Sequence, residues 1–300
     1  MLYFCYISEV LVLKKSEKIS FALLGILAAG LLIAALRYDL ALDHMLYSPK
    51  NPFAILMEAF CYWPLYLPFA LLGAVWANLY TDVRRILGDL FTVLTFGGLL
   101  FLSLPNLASR GLTAGYSSPL GILLTFVFTL AAIKWASRGS QGTLLRLEFL
   151  AKFGILFCVF NNIVINLLKL LWTRMRYDDM AKLGDFSAFT PWVRFGAVPG
   201  NTSFPSGHTA AACGILVLLL LPRLFAGLRG KELPLLFLCY GYIALSGFAR
   251  LVIGRHFLSD TVAAATVVTL LFLLLASLPA FHQRLEEINR LADEADRPAA

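Results

Sequence analysis

The stretch "SFPSGHTAA", residues 203–211, sets a hydroxyl, a bare backbone position and an imidazole directly before an apolar run. Pro205 and Ser206 suit a helix start, because proline tolerates the first turn and serine is a strong N-cap. An ordinary cap would need no more than that. Gly207, however, removes the side chain that would crowd an anion at the positive end of a helix dipole, and His208 stands beside it, able to donate or accept a proton near neutral pH. A second stretch, "ARLVIGRHFLSD", residues 249–260, places His256 and Asp260 four residues apart, so that they can meet on one helix face. A carboxylate that accepts from one ring nitrogen leaves the other free as a nucleophile or base. A plain structural hydrogen bond is the alternative for that pair. Arg250 adds a planar cation whose fork matches phosphate oxygens.

A third stretch is "FNNIVINLLKLLWTRMRYDD". On helical spacing Asn162, Asn166, Lys169, Thr173 and Arg176 share one face, which cannot point at lipid. Hydrogen bonding between helices explains the two asparagines. For Lys169 one reading is snorkelling to the interface and the other is an anion partner shared with Arg176.

These residues need elements to hold them. The chain has 300 residues, 59% hydrophobic and 14% charged, well below the charged share of about a quarter usual in soluble domains. Apolar windows predict eight membrane spans, at about 19–36, 53–79, 86–104, 118–135, 148–172, 208–225, 234–251 and 257–279. The expected fold is therefore all-α, a polytopic transmembrane helix bundle, with Pro64 and Pro68 kinking the second span. The segment "HQRLEEINRLADEADRPAA" spaces Leu285, Ile288 and Leu291 as a short surface helix would. The formal net charge of +7 is spread between spans without a basic block, which argues against a nucleic-acid partner. Five cysteines without a CxxC pair read as buried small hydrophobes, neither a disulfide framework nor a metal site. Residues 1–13 are apolar but precede their lysines and lack a small-residue cleavage site, which argues against a cleaved signal peptide.

Eight spans put both termini on one side. Fourteen Lys and Arg then fall on the terminal side and nine on the other, so the positive-inside rule makes the terminal side cytoplasmic. The end of span five, the start of six, the end of seven and the start of eight would share the outer side. Lys169, Arg176, Arg250, a helix N-terminus, two histidines and Asp260 would converge there. That set suits phosphoryl chemistry with no metal and no other cofactor, since three cations and backbone donors can neutralise the group.

The three blocks resemble those of the type 2 phosphatidic acid phosphatase (PAP2) superfamily, the lipid phosphate phosphatases, with its pattern K-x6-RP, PSGH and SR-x5-H-x3-D. At about one in twenty per position, a Lys-x6-Arg pair is expected in most chains of this length, whereas Pro-Ser-Gly-His is expected in roughly 0.2%, so the second block carries the likeness. Tyr177 replaces the proline and Ala249 the serine of the pattern, and neither change removes a charge or proton carrier. The resemblance implies a six-helix catalytic core over residues 86–280, an N-terminal segment 1–85 with two additional spans, and a cytoplasmic tail 281–300. It implies that His256 attacks phosphorus to form a phosphohistidine while Asp260 holds its ring. His208 would protonate the leaving oxygen and then activate water, and Lys169, Arg176, Ser206, the Gly207 amide and Arg250 would hold the phosphoryl oxygens.

Phe186, Phe189, Trp192 and Phe195 with Arg194 suit an interfacial lid or a plain membrane anchor. The substrate implied by the resemblance is a membrane lipid carrying a phosphate or diphosphate: undecaprenyl diphosphate, phosphatidylglycerol phosphate, phosphatidic acid or lipid A. The implied location is a bacterial cytoplasmic (inner) membrane, with the site facing the periplasm or exterior. A lipid phosphotransferase using the same site is the nearest alternative, and a non-catalytic transporter or scaffold a more distant one. Neither an oligomeric state nor a partner for Glu58 can be read from the sequence.

Overall fold

The computed structural model describes residues 14–113 and 118–297, and the described residues form helices without strands. Residues 1–13, with Cys5, lie outside the described residues. The chain runs through α1 (Lys15–Leu46), α2 (Pro52–Phe60), α3 (Trp63–Leu79), α4 (Val83–Ser109), α5 (Ser118–Ala136) and α6 (Gln141–Trp172). It continues through the short α7 (Tyr177–Leu183), then α8 (Gly207–Ala212), a 3-10 stretch (Cys213–Leu220) and α9 (Leu221–Leu224). The last three helices are α10 (Glu232–Val252), α11 (Leu258–Ser277) and α12 (Pro279–Ala295). Seven helices are long and apolar enough to cross a membrane, or eight spans if the bent pair α2 and α3 counts as one. The eight windows of the sequence fall on these elements.

Local chemistry marks the boundaries. Asn51 caps α2 by accepting from the Ala54 amide, with Pro52 in the first turn, and Ser140 caps α6 by accepting from the Thr143 amide. The expected kink takes the form of a 40° break between α2 and α3. Pro64 lies in the first turn of α3, just past the break, while Pro68 sits inside that helix. At the end of α6, Thr173 adopts left-handed backbone with φ 40° and halts the helix. The polar stripe expected to run from Asn162 to Arg176 therefore stops at Lys169, and Arg176 instead caps α7.

Many large apolar side chains remain exposed, among them Leu170 and Phe237, as lipid-facing helices require. The interior is built from α3, α6, α10, α11, α12 and the 3-10 stretch, where Phe153 and Phe157 meet Phe272 edge-on. The helices α3 and α4 approach closely through Gly73 and Gly88: a Cβ on Gly88 would stand 2.6 Å from the Gly73 carbonyl oxygen. The expected surface helix is α12, which buries Leu285 and Ile288 against α6 and is tied down by the Arg146 to Asp293 ion pair. Cys61, Cys158, Cys213 and Cys239 are free and buried.

Ion pairs sort the two ends of the bundle. Lys14 with Glu232, Glu17 with Arg223 and Arg146 with Asp296 tie one end. Glu58 with Arg110 and Arg250, Asp178 with Arg255, and Asp39 with Arg174 tie the other. Four helix ends meet at this second end, those of α6, α8, α10 and α11.

Candidate active site

The Pro-Ser-Gly-His turn begins a helix, as its residues suggest. Ser206 is its N-cap, with its hydroxyl accepting from the Thr209 amide at 3.2 Å, while the Ser206 amide donates to the Asp260 carbonyl oxygen at 3.0 Å. That second bond joins the start of α8 to the start of α11. A Cβ on Gly207 would stand 3.4 Å from Lys169 Nζ, so the glycine is where the lysine closes on the backbone. Lys169 Nζ also donates to the Thr202 carbonyl oxygen at 3.2 Å, and Arg176 Nη2 reaches the Thr202 hydroxyl at 3.4 Å. Both cations thus converge on one loop despite the break after α6.

His256 lies in the turn between α10 and α11, only 3% exposed. The same turn contains Gly254, whose φ of 70° and proximity to the Tyr47 ring leave no room for a side chain. His256 Nδ1 stands 3.5 Å from Asp260 Oδ2, longer than a hydrogen bond, and has no hydrogen-bond partner among the described residues. Burial pushes the His256 imidazole down to about 4, against the opposing pull of Asp260, so the ring is neutral at pH 7. The His208 and His256 ring centroids are 6.4 Å apart. This separation excludes a direct hydrogen bond. It matches a tetrahedral group held between a near-attack contact of roughly 3 Å and a hydrogen bond of about 3 Å. On its other side His208 packs on Tyr62, with centroids 4.8 Å apart.

Asp260 is wholly buried and held from every direction. Its Oδ1 accepts from Arg174 Nη1 at 2.7 Å, and its Oδ2 from the Ser203 hydroxyl at 2.6 Å and the Phe257 amide at 3.0 Å. Arg174 and Arg250 are each 1% exposed. Arg250 Nη2 donates to Glu58 Oε1 at 3.0 Å, while its Nη1 and Nε have no partner among the described residues. Buried donors of that kind are costly unless something else binds them. The charges of Arg250 and Lys169 also help to hold the His256 ring neutral.

Residues 151–284 match the family model described as the PAP2 superfamily. Over this stretch the chain is similar to the PAP2 superfamily. The match supports an enzyme acting on phosphate esters. Neither the curated proteins nor the solved structures yield a match to the chain. The PAP2 stretch opens inside α6 and closes inside α12, so it contains Lys169, Arg176, Ser206, Gly207, His208, Arg250, His256 and Asp260.

Several neighbours of the PAP2 residues escape a reading by motif. Arg174, within the first block, is buried on Asp260, whereas Arg176 two residues on is the half-buried one. Asp39, Glu58 and Arg110 lie before the PAP2 stretch altogether. The available signal was a carboxylate inside an apolar span, which rarely persists without a partner. Asn166 does not bridge helices as expected: its amide donates to the Asn162 carbonyl of its own helix. Asn162 does so partly, donating to Cys158 and accepting from Tyr66, and the buried Asn161 donates across to the Ala210 carbonyl. Phe186, Phe189 and Trp192 are half-buried, whereas Phe195 is exposed. Trp192 donates to the Leu32 carbonyl of α1 and stacks on Phe204, while Phe189 lies edge-on to Phe257.

Proposed function

We propose that this protein hydrolyses a phosphate monoester or diphosphate on a membrane lipid, without a metal ion, through a phosphohistidine on His256. The observation that carries this reading is the pair of imidazoles 6.4 Å apart, with Lys169 closing on the Gly207 backbone and Arg250 keeping two buried donors unpaired. A neutral His256 nitrogen attacks phosphorus in line as the bond to the lipid oxygen breaks, and His208 gives its proton to that leaving oxygen. Water then attacks the phosphohistidine. His208 takes the water's proton, the phosphorus–nitrogen bond breaks, and its electron pair returns to His256. Lys169, Arg176, Ser206, the Gly207 amide and Arg250 hold the equatorial oxygens, where charge accumulates in the transition state. Asp260 orients His256, and their 3.5 Å contact shortens as positive charge develops on the ring.

A lipid substrate is supported by position. The site lies at the ends of apolar helices, where a headgroup would sit with its chains in the bilayer. A groove of about 440 Å³ runs beside α1, α10 and α11, lined from Leu258, two residues from His256, to Leu273. It suits a hydrocarbon chain. The excess of basic residues at the other end of the bundle supports an outward-facing site in a cytoplasmic membrane. The test is phosphate release from a panel of lipid phosphates in detergent with excess chelator. Release should persist with chelator and fall at least about 1,000-fold in His208→Ala and His256→Ala. Wild-type turnover in either variant would refute the assignment.

A further inference from the structure

Outside the PAP2 stretch, two carboxylates reach into the site, and each grips one of its two fully buried arginines. Asp39, in the outer part of α1, accepts from Arg174 Nη2 at 2.9 Å through Oδ2. Its Oδ1 accepts from the Ser259 amide at 3.0 Å, and its Oδ2 also takes the Ser259 hydroxyl. Arg174 Nη1 in turn holds Ser259 Oγ at 2.8 Å and Asp260 Oδ1 at 2.7 Å. A closed circuit thus runs from α1 through Arg174 to the first turn of α11, ending on the carboxylate beside His256. Phe257 covers the guanidinium face, 4.0 Å from ring centroid to Cζ. In α2, Glu58 Oε1 accepts from Arg250 Nη2 at 3.0 Å and from Arg110 Nη2 at 3.1 Å. The second arginine anchors the glutamate, which holds one edge of Arg250 and leaves Nη1 and Nε for a ligand.

We propose that Asp39 and Glu58 are positioning residues of the site, Asp39 acting through Arg174 on Asp260 and Glu58 acting directly on Arg250. The inference rests on the phosphohistidine reading. It gives the first two helices a part in the chemistry. Their carboxylates do different jobs. Asp39 shares the Arg174 charge, so that Asp260 is not wholly drawn to the arginine and remains an acceptor for His256. Glu58 fixes the orientation of a phosphate-binding fork, which acts on the bound phosphoryl group and on the charge it gains in the transition state.

The experiment uses the full-length protein in detergent with short-chain phosphatidic acid carrying a radiolabelled phosphate, quenched in alkali, where phosphohistidine survives. Asp39→Asn should slow phosphoenzyme formation about 30-fold while leaving its full amplitude, and Ser259→Ala should slow it about 5-fold. Glu58→Gln should weaken competitive inhibition by inorganic phosphate about 10-fold and also slow phosphorylation at saturating substrate, because the Arg250 fork holds oxygens that gain charge in the transition state. A merely structural role predicts the opposite pattern, a lower amplitude with unchanged rate and inhibition constants, and that pattern would overturn the proposal. If Asp39→Asn does not fold, Ser259→Ala and Glu58→Gln decide, and wild-type constants in both would refute it. Absence of a phosphoenzyme in the wild-type protein would instead sink the phosphohistidine reading, while the phosphate-inhibition constant of Glu58→Gln would still judge the Arg250 arm.

Discussion

At the scale of single residues, the two histidines differ in what each must do, and substrates can tell them apart. His208→Ala should lose reaction with an alkyl phosphate, whose leaving oxygen needs a proton, but keep a single-turnover burst of 4-nitrophenol from 4-nitrophenyl phosphate, whose leaving group needs none, with phosphate release from the phosphoenzyme still impaired for want of the base. His256→Ala should lose both, and comparing the two esters in each variant checks the assignment. The pH profile gives a second handle. A histidine with an ordinary value loses its nucleophilic form below about 6.5. Burial brings His256 down to about 4, so the neutral ring persists as pH falls and disappears only near that value. The acid limb of kcat/KM should therefore lie well below 6.5. Gly207→Ala should raise KM by about tenfold, because its methyl would press on the end of Lys169, 3.4 Å away, where phosphate must also fit.

At the scale of elements, the site depends on how helices end and how closely they pack. The turn from α10 to α11 sets His256 through Gly254, where φ is 70° and an added Cβ would meet the Tyr47 ring at 2.7 Å. Gly254→Ala should cost about 1–3 kcal/mol in thermal or denaturant unfolding and lower kcat as the turn shifts. The seam between α3 and α4 lies at a distance from the chemistry. Gly88→Val should destabilise by a similar amount there, yet leave the kcat of the folded fraction near wild type, as an activity assay normalised to folded protein would show. The periodicity of the third block was legible as far as Lys169, where α6 is regular. Beyond it the left-handed Thr173 redirected the chain, and no local pattern marked Arg174 rather than Arg176 as the buried cation.

At the scale of the whole molecule, three spans separate the residue 174–206 connection from the tail, which puts the two on opposite sides. A membrane-impermeant thiol reagent on intact cells should label Asp185→Cys, which is exposed in that connection, and not Glu287→Cys on α12. The reverse result would turn the site inward. Composition alone determined that this is a membrane-embedded helical bundle, since charge-poor windows of about 20 residues have no other economical arrangement. The three motif blocks likewise identified the groups suited to phosphoryl transfer, because their chemistry follows from residue type and short spacing. Only the tertiary structure decided which carboxylate meets which arginine. Asp39 and Arg174 are 135 positions apart, and Glu58 and Arg250 are 192 apart. Pairing over such distances depends on helix rotation and packing, which local sequence patterns do not encode.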